Sequence, residues 1–442
     1  MRLAFASAGH LLEASFCLCV ACGGACSALR AQAVPQEPPP EVFRGQGFEA
    51  PPTEAPANDF HALATLGERW NSNVHFEPED GSPESDYIGT LQLQLLTHRH
   101  SDRTSWGLNY RPLFSHYHEN SDLDSLSHVF DADASYKLAR RSTLTLQERF
   151  SQSEDPLIVT APPESGDAAI LTDTERRSRN LTGLDIDMDL SRSVALSVGA
   201  LYGGNWFENP RATDSDFYVG RIGLSGKLGR EDSLSGSYAY SVLNLDPPEP
   251  TFTVPPIPGE VVTQNVDTTS NELGLGWTHS VTRWASDIYL GSSLADQHLL
   301  DYNATGLIDD RHVTERLFTG RASLRRSFRH VALDSGVQRR LTADTGANIA
   351  TVGDSAYLTI AGNAGRRTTY TLTLDAGNRK SIGGISENTL DYAGATFRFG
   401  YAFSQWCGLL AIAQGREQTI HRATDERQDV ESYFLGLTFK IH

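Results

Sequence analysis

From about residue 65 to the C-terminus, apolar side chains recur at every second position in one segment after another. In 90–95, Leu91, Leu93 and Leu95 share one face, and Thr90, Gln92 and Gln94 share the other. Between 104 and 114, Trp106, Leu108, Tyr110 and Phe114 oppose Gly107, Asn109 and Arg111. Leu184, Ile186, Met188 and Leu190 oppose Asp185, Asp187 and Asp189, and Tyr218, Ile222, Leu224 and Leu228 oppose Arg221, Ser225 and Lys227. The same alternation runs through Tyr370, Leu372 and Leu374, and closes the chain with Tyr433, Leu435, Leu437, Phe439 and Ile441. A period of two over roughly ten residues or more is a β-strand with one apolar and one wet side. Helical periodicity is weak, and proline concentrates outside the alternating segments.

The connections alternate in length. Short polar turns, often holding arginine, fall near 100–103, 139–142, 190–193, 229–232, 281–284, 327–330, 365–368 and 403–406. Generally longer connections fall at 77–86, 117–125, 154–175, 209–214, 246–267, 300–311, 345–353, 383–388 and 422–427. Turns at one end and loops at the other describe an antiparallel up-and-down meander. In hydrocarbon a sheet edge cannot be left unpaired, so a meander with one lipid-facing row must close. The fold class predicted is all-β: a transmembrane antiparallel β-barrel of about 18 strands, with 16 as the alternative because the first strand, near 65–77, alternates poorly. Trp206, Phe207, Trp284, Trp406, Tyr433 and Phe434 are expected near the membrane interfaces. A propeller would need shorter strands and Gly-His and Trp-Asp markers, which the sequence lacks.

Residues 1–33 have the features of an export signal: a basic start at Arg2, an apolar and small-residue stretch from Leu11 to Leu29 interrupted by Glu13, and Ala31-Gln32-Ala33 as the cleavage site. Cys22 and Cys26 follow alanine and so raise a lipoprotein alternative, but neither has leucine at the usual upstream position. Residues 34–58 form a Pro- and Glu-rich lead expected to be disordered, and 59–442 form the barrel. Of the five cysteines, only Cys407 lies beyond residue 33, which leaves no intramolecular disulfide. The net charge of −18 argues against sequence-independent nucleic-acid binding, which needs clustered cations.

If the apolar rows meet lipid, the polar rows line a lumen. The lumen-lining candidates are Arg111, Asp131, Asp133, Asp185, Asp187, Arg221, Lys227, Arg321, Arg325, Asp334 and Arg398. Glu272, Asp287, Asp375, Arg149, Arg340 and Lys440 fall on the same faces. Acids dominate around 126–190, and bases dominate 317–325 and 398. Facing sectors would create a transverse field; pairing between neighbouring strands, such as Asp334 with Arg321 or Arg325, would neutralise it. Loops 154–175 and 246–267 either stand in solvent or fold inward as constrictions. No catalytic motif, cofactor site or metal site is expected. The pairs His98/His100 and His116/His118 are read as interfacial polar residues.

The short Pro-rich lead, followed by a long meander with turns such as LSRSVALSV (190–198), resembles a family of β-barrel porins associated with exopolysaccharide export. The C-terminal YFLGLTFKIH resembles the aromatic-terminated assembly signal of outer-membrane barrels, although it ends in His442 with Phe439 three residues earlier. The resemblance implies a Gram-negative outer-membrane location, outer-membrane lipid and the barrel-assembly machinery as partners, and polysaccharide or small solutes as cargo. The expected function is a conduit without chemistry of its own; the alternative is a non-conducting structural or adhesion barrel at the cell surface. The oligomeric state is left open.

Overall fold

The computed structural model describes residues 58–76, 81–154, 176–208, 214–246, 262–303, 306–343, 350–381, 389–421 and 426–441. The expected signal peptide, all but the last residue of the lead, and most of loops 154–175 and 246–267 lie outside the described residues.

Eighteen strands follow one another: β1 Asn58–Asn71, β2 Asp86–His100, β3 Thr104–Tyr117, β4 Ser125–Ala139, β5 Ser142–Ser153, β6 Arg177–Asp189, β7 Val194–Phe207, β8 Asp214–Lys227, β9 Asp232–Asp246, β10 Val262–Val281, β11 Trp284–Asn303, β12 Gly306–Ser327, β13 Val331–Ala343, β14 Ala350–Asn363, β15 Thr368–Ser381, β16 Thr389–Ala402, β17 Cys407–His421 and β18 Glu426–Ile441. Each strand pairs antiparallel with the next. β18 pairs antiparallel with β1, so the sheet closes on itself. At that seam Thr65 Oγ1 and Thr438 Oγ1 lie 3.0 Å apart and buried. Among the described residues no helix is long and apolar enough to cross a membrane; the strands supply the crossing.

Following paired positions once around the ring returns to β1 about 22 residues farther along. For 18 strands that stagger tilts the strands roughly 40° and sets a backbone diameter of roughly 35 Å. The outer surface is banded. Phe60, Trp106, Tyr136, Trp284, Phe328, Phe403 and Trp406 are exposed at the turn end. Tyr87, Phe114, Tyr218, Tyr240, Phe318 and Tyr433 are exposed nearer the loop end. On β3, Trp106 and Phe114 are separated by about eight residues, or roughly 20 Å along the axis. Between the two aromatic rings lie exposed leucines such as Leu91, Leu93, Leu95, Leu224, Leu290, Leu435 and Leu437. An apolar belt of that height between aromatic girdles is the surface a bilayer covers. This is a transmembrane barrel of the outer-membrane kind.

Four expectations need correction. The first strand is Asn58–Asn71, not 65–77. Its outward row holds the small Ala62 and Ala64 while Leu63 points inward and is buried, which blurs the alternation. The connection drawn at 300–311 is mostly strand, since β11 runs to Asn303 and β12 starts at Gly306; likewise β10 begins at Val262, inside the loop drawn at 246–267. β10–β12 therefore rise beyond the neighbouring strands as a three-stranded projection. Finally, Phe434 belongs to the inward row of β18, packed against Ala402 and Leu410, rather than to an interface.

The lumen is not an empty cylinder. Leu243 and Leu245 on β9 are buried against Phe217 on β8 and Leu341 on β13, so a side-chain contact bridges β9 and β13 near the loop end. The inward row of β11 (Ser293, Ala295, Gln297 and Leu299) is fully buried at the same level.

Candidate functional site: the lumen wall

Strand parity fixes which side chains point inward. Phe114, Leu126, Leu184, Ile222, Phe318 and Phe397 are exposed on the outer face. Their neighbours of opposite parity project inward, which places Arg111, Asp131, Asp133, Asp185, Asp187, Arg221, Lys227, Arg321, Arg325 and Arg398 on the inner wall. Asp334 joins them through its direct pairing with Arg325.

Most of these charges are tied along the wall. Asp131 on β4 is held from both sides, by Arg111 Nη2 at 3.0 Å on β3 and Arg149 Nε at 2.8 Å on β5. On β10–β12, Thr278 Oγ1 donates to Asp287 at 3.1 Å and Arg321 Nε donates to it at 2.8 Å. On β12–β14, Arg325 grips Asp334 at 2.5 Å and Tyr357 donates to its other oxygen at 3.2 Å. Between the last two ladders lies a depression of about 260 Å³ lined by Thr278, Asp287, Ser323, Arg325, Asp334 and Tyr357. Pairing between neighbouring strands, one of the two expected arrangements, thus prevails for Asp131, Asp287 and Asp334.

Two arginine–aspartate pairs among the described inner-wall residues skip a strand. Asp185, Gly199 and Arg221 sit side by side on β6, β7 and β8. Arg221 Nη2 reaches both carboxylate oxygens of Asp185 at 2.6 Å by lying over Gly199, where a Cβ would collide with Asp185 and Arg221. The arrangement repeats as Asp375, Gly394 and Arg416 on β15, β16 and β17, with Arg416 Nη2 2.9 Å from Asp375. The solvated pairs each contribute at most about 1 kcal/mol. Their larger effect is to pin long arms to the wall and to fix where charge is neutralised.

The remaining candidates differ. Asp133, Asp187, Lys227 and Arg398 have no ion-pair partner among the described residues. Arg398, midway along β16, lies close enough to Arg111, midway along β3, for their positive charges to repel, although five strand-to-strand steps separate them around the wall. Among the described inward residues of β15–β17, Asp375 is the lone carboxylate against Arg379, Arg398 and Arg416. This sector is cationic.

No family model and no curated protein matches the chain. Among solved structures it is similar to the Pseudomonas aeruginosa proteins OccK11 (OpdR), at 13% identity over 87% of this chain and 97% of that one with a TM-score of 0.38, and OpdQ, at 14% over 87% and 98% with a TM-score of 0.38. It is also similar to the ferric-catecholate import receptor Fiu from E. coli K12, at 9% over 92% and 86% with a TM-score of 0.44. Likeness this distant decides neither substrate nor activity.

Sequence reasoning missed Arg379 and Arg416, whose guanidinium groups lie 5.8 and 6.0 Å from the Tyr392 ring on the inner wall. The signal was available for one of them: Arg379 follows Asp375 and Gly377 on the polar row of β15. It also missed Tyr289, which donates to Glu272 at 2.5 Å and stands 5.8 Å from the Arg321 guanidinium. A tyrosine on a polar row looks like a row out of phase until the register is known.

Proposed function

We propose that this barrel is an outer-membrane conduit for small anionic solutes. One observation supports it above the others: Arg398 stands on the inner wall midway along β16, with no ion-pair partner among the described residues, inside a sector where guanidinium groups outnumber acids. An unneutralised guanidinium at mid-height attracts anions and opposes cations at the point every permeating ion must pass. The eleven inward candidates act as the charged lining, and the neutralised ladders confine the field to the cationic sector. Export by cleavage after Ala33, followed by the 34–58 lead, belongs to the same reading. Passage of an anionic glycan is its finer form.

The test is conductance in planar bilayers under a potassium chloride gradient. The expected reversal potential has the sign of a chloride-preferring pore, and Arg398→Glu moves it toward potassium. A cation-preferring parent protein would overturn the reading. Current blocked by an anionic polysaccharide, but not by its neutral counterpart, would extend the reading to glycan.

The contact of Leu341 with Leu243 and Leu245, together with the buried inner row of β11, favours a competing reading in which the lumen is sealed and the barrel serves the cell surface. A correctly folded barrel that gives no steps of current would select it.

A further inference from the structure

The chain carries a net charge of −18, yet every short turn except 403–406 contains arginine. The only carboxylates within those turns are Asp102, Glu231 and Asp232. Backbone hydrogen bonds tie neighbouring turns into a continuous rim: Ser327 N donates to Arg283 O at 2.9 Å, and Asn363 N donates to His330 O at 3.0 Å. The turn end thus carries a net positive charge on a molecule that is acidic as a whole.

At β11–β14 this rim meets the turn-side aromatic girdle. Arg326 belongs to the outward row of β12. Its guanidinium lies 4.2 Å from the Trp284 ring centre and 4.6 Å from that of Phe328. Next to it are the exposed Arg329 and His330, and Arg367 is exposed on the following turn. Arg326, Arg329 and Arg367 have no ion-pair partner among the described residues. The geometry points to a binding site here for the headgroup of an anionic glycerophospholipid from the leaflet on the turn side, with Arg326 and Arg329 as its main phosphate contacts.

The chemistry favours this ligand on three grounds. A planar guanidinium offers parallel N–H donors that match two phosphate oxygens. Two aromatic faces hold Arg326 in a fixed plane and cover it with apolar surface, which lowers the entropy lost on binding and strengthens its field. Trp284 and Phe328 place it at the edge of the hydrocarbon, a depth at which headgroup phosphates are concentrated and free solutes are scarce. The inference requires a lipid-embedded barrel but no conduction.

The experiment uses the full barrel in neutral detergent, titrated with phosphatidylglycerol or phosphatidylcholine and read by native mass spectrometry. Phosphatidylglycerol should bind in preference, and Arg326→Ala and Arg329→Ala should each weaken it roughly five-fold. Arg326→Lys should recover only part of the loss, because it keeps charge but not the fork. Inorganic phosphate at millimolar concentration should fail to displace the lipid. Equal binding of both lipids, unchanged affinity in both alanine variants, or ready displacement by phosphate would each overturn the proposal. Heat-modifiable gel migration verifies that the variants are folded. Arg326 faces outward, so Arg326→Ala should leave ion selectivity unchanged, and failure here is separable from failure of the conduit reading.

Discussion

Glu148 is a carboxylate on the wrong side of the wall. It stands midway along β5, in the outward row with Leu144, Leu146 and Phe150, and faces Ala132 on β4 and Thr182 on β6. Thr182 Oγ1 donates to it at 2.5 Å and also lies 3.3 Å from Asn180 Oδ1, so the carboxyl has one hydroxyl partner inside the apolar belt. Placing an acid in hydrocarbon is unfavourable, though less so than placing a base there. Glu148→Leu is therefore expected to raise the unfolding free energy by about 1–2 kcal/mol, measured by urea unfolding in lipid vesicles; a loss of stability would mean that the Thr182 bond outweighs the desolvation. Residue by residue, the direction of each side chain was readable from sequence and its partner often was not. The inward orientation of Asp185 and Arg221 follows from period two. Their pairing depends on Gly199 lying level with both, which only the register of three strands reveals.

Elements were legible wherever one face met lipid and the other water. The short turns sit where the pattern placed them, because apolar alternation stops there in both flanking strands. Legibility fails above the belt. In β10–β12 the segment around Asp309, Asp310, Arg311 and His312 is polar on both faces, so strand and loop look alike. His298 is bonded there by Asp310 at 2.9 Å across the strands, a contact that no periodicity signals. The connection between β3 and β4 shows how a polar loop is held without apolar burial. Asp124 accepts from the Tyr117 amide at 2.8 Å and lies 2.8 Å from His116 Nδ1, after the single turn Ser121–Leu123. Those bonds, His116 first and Tyr117 second, hold its carboxyl below the ordinary 3.8. A depressed folded-state pKa stabilises above the unfolded value and is lost as pH falls through the folded one. Hydrogen-exchange protection of the Tyr117 amide should thus be full at neutral pH and decline only below about pH 4. Protection that begins to fall well above pH 4 would show that the Asp124 carboxylate does not control it.

For the whole molecule, closure imposes a condition that no single hairpin carries. β18 must match β17 on one side and β1 on the other, with Gly436 level with Leu410 and Gly67. A one-residue slip exchanges the two faces of a strand. Deleting Gly436 leaves residues 426–435 and 437–441 out of phase. Whichever half keeps its place, the other turns its apolar row inward: either Leu437, Phe439 and Ile441 enter the lumen while Thr438 and Lys440 meet lipid, or Tyr433 and Leu435 do so in exchange for Ser432 and Phe434. The strand cannot repair this locally, since both of its neighbours are fixed by the rest of the ring, and a seam left open exposes backbone groups to hydrocarbon at several kcal/mol each. The single deletion should therefore abolish the heat-modifiable compact band on a denaturing gel. Deleting Gly436 and Leu437 together restores the alternation with the pairing shifted by about two positions, and should recover a fraction of that band. A single deletion that folds as well as the parent would show that β18 is not held on both edges, and the closed ring on which lipid contact and lumen both depend would have to be abandoned.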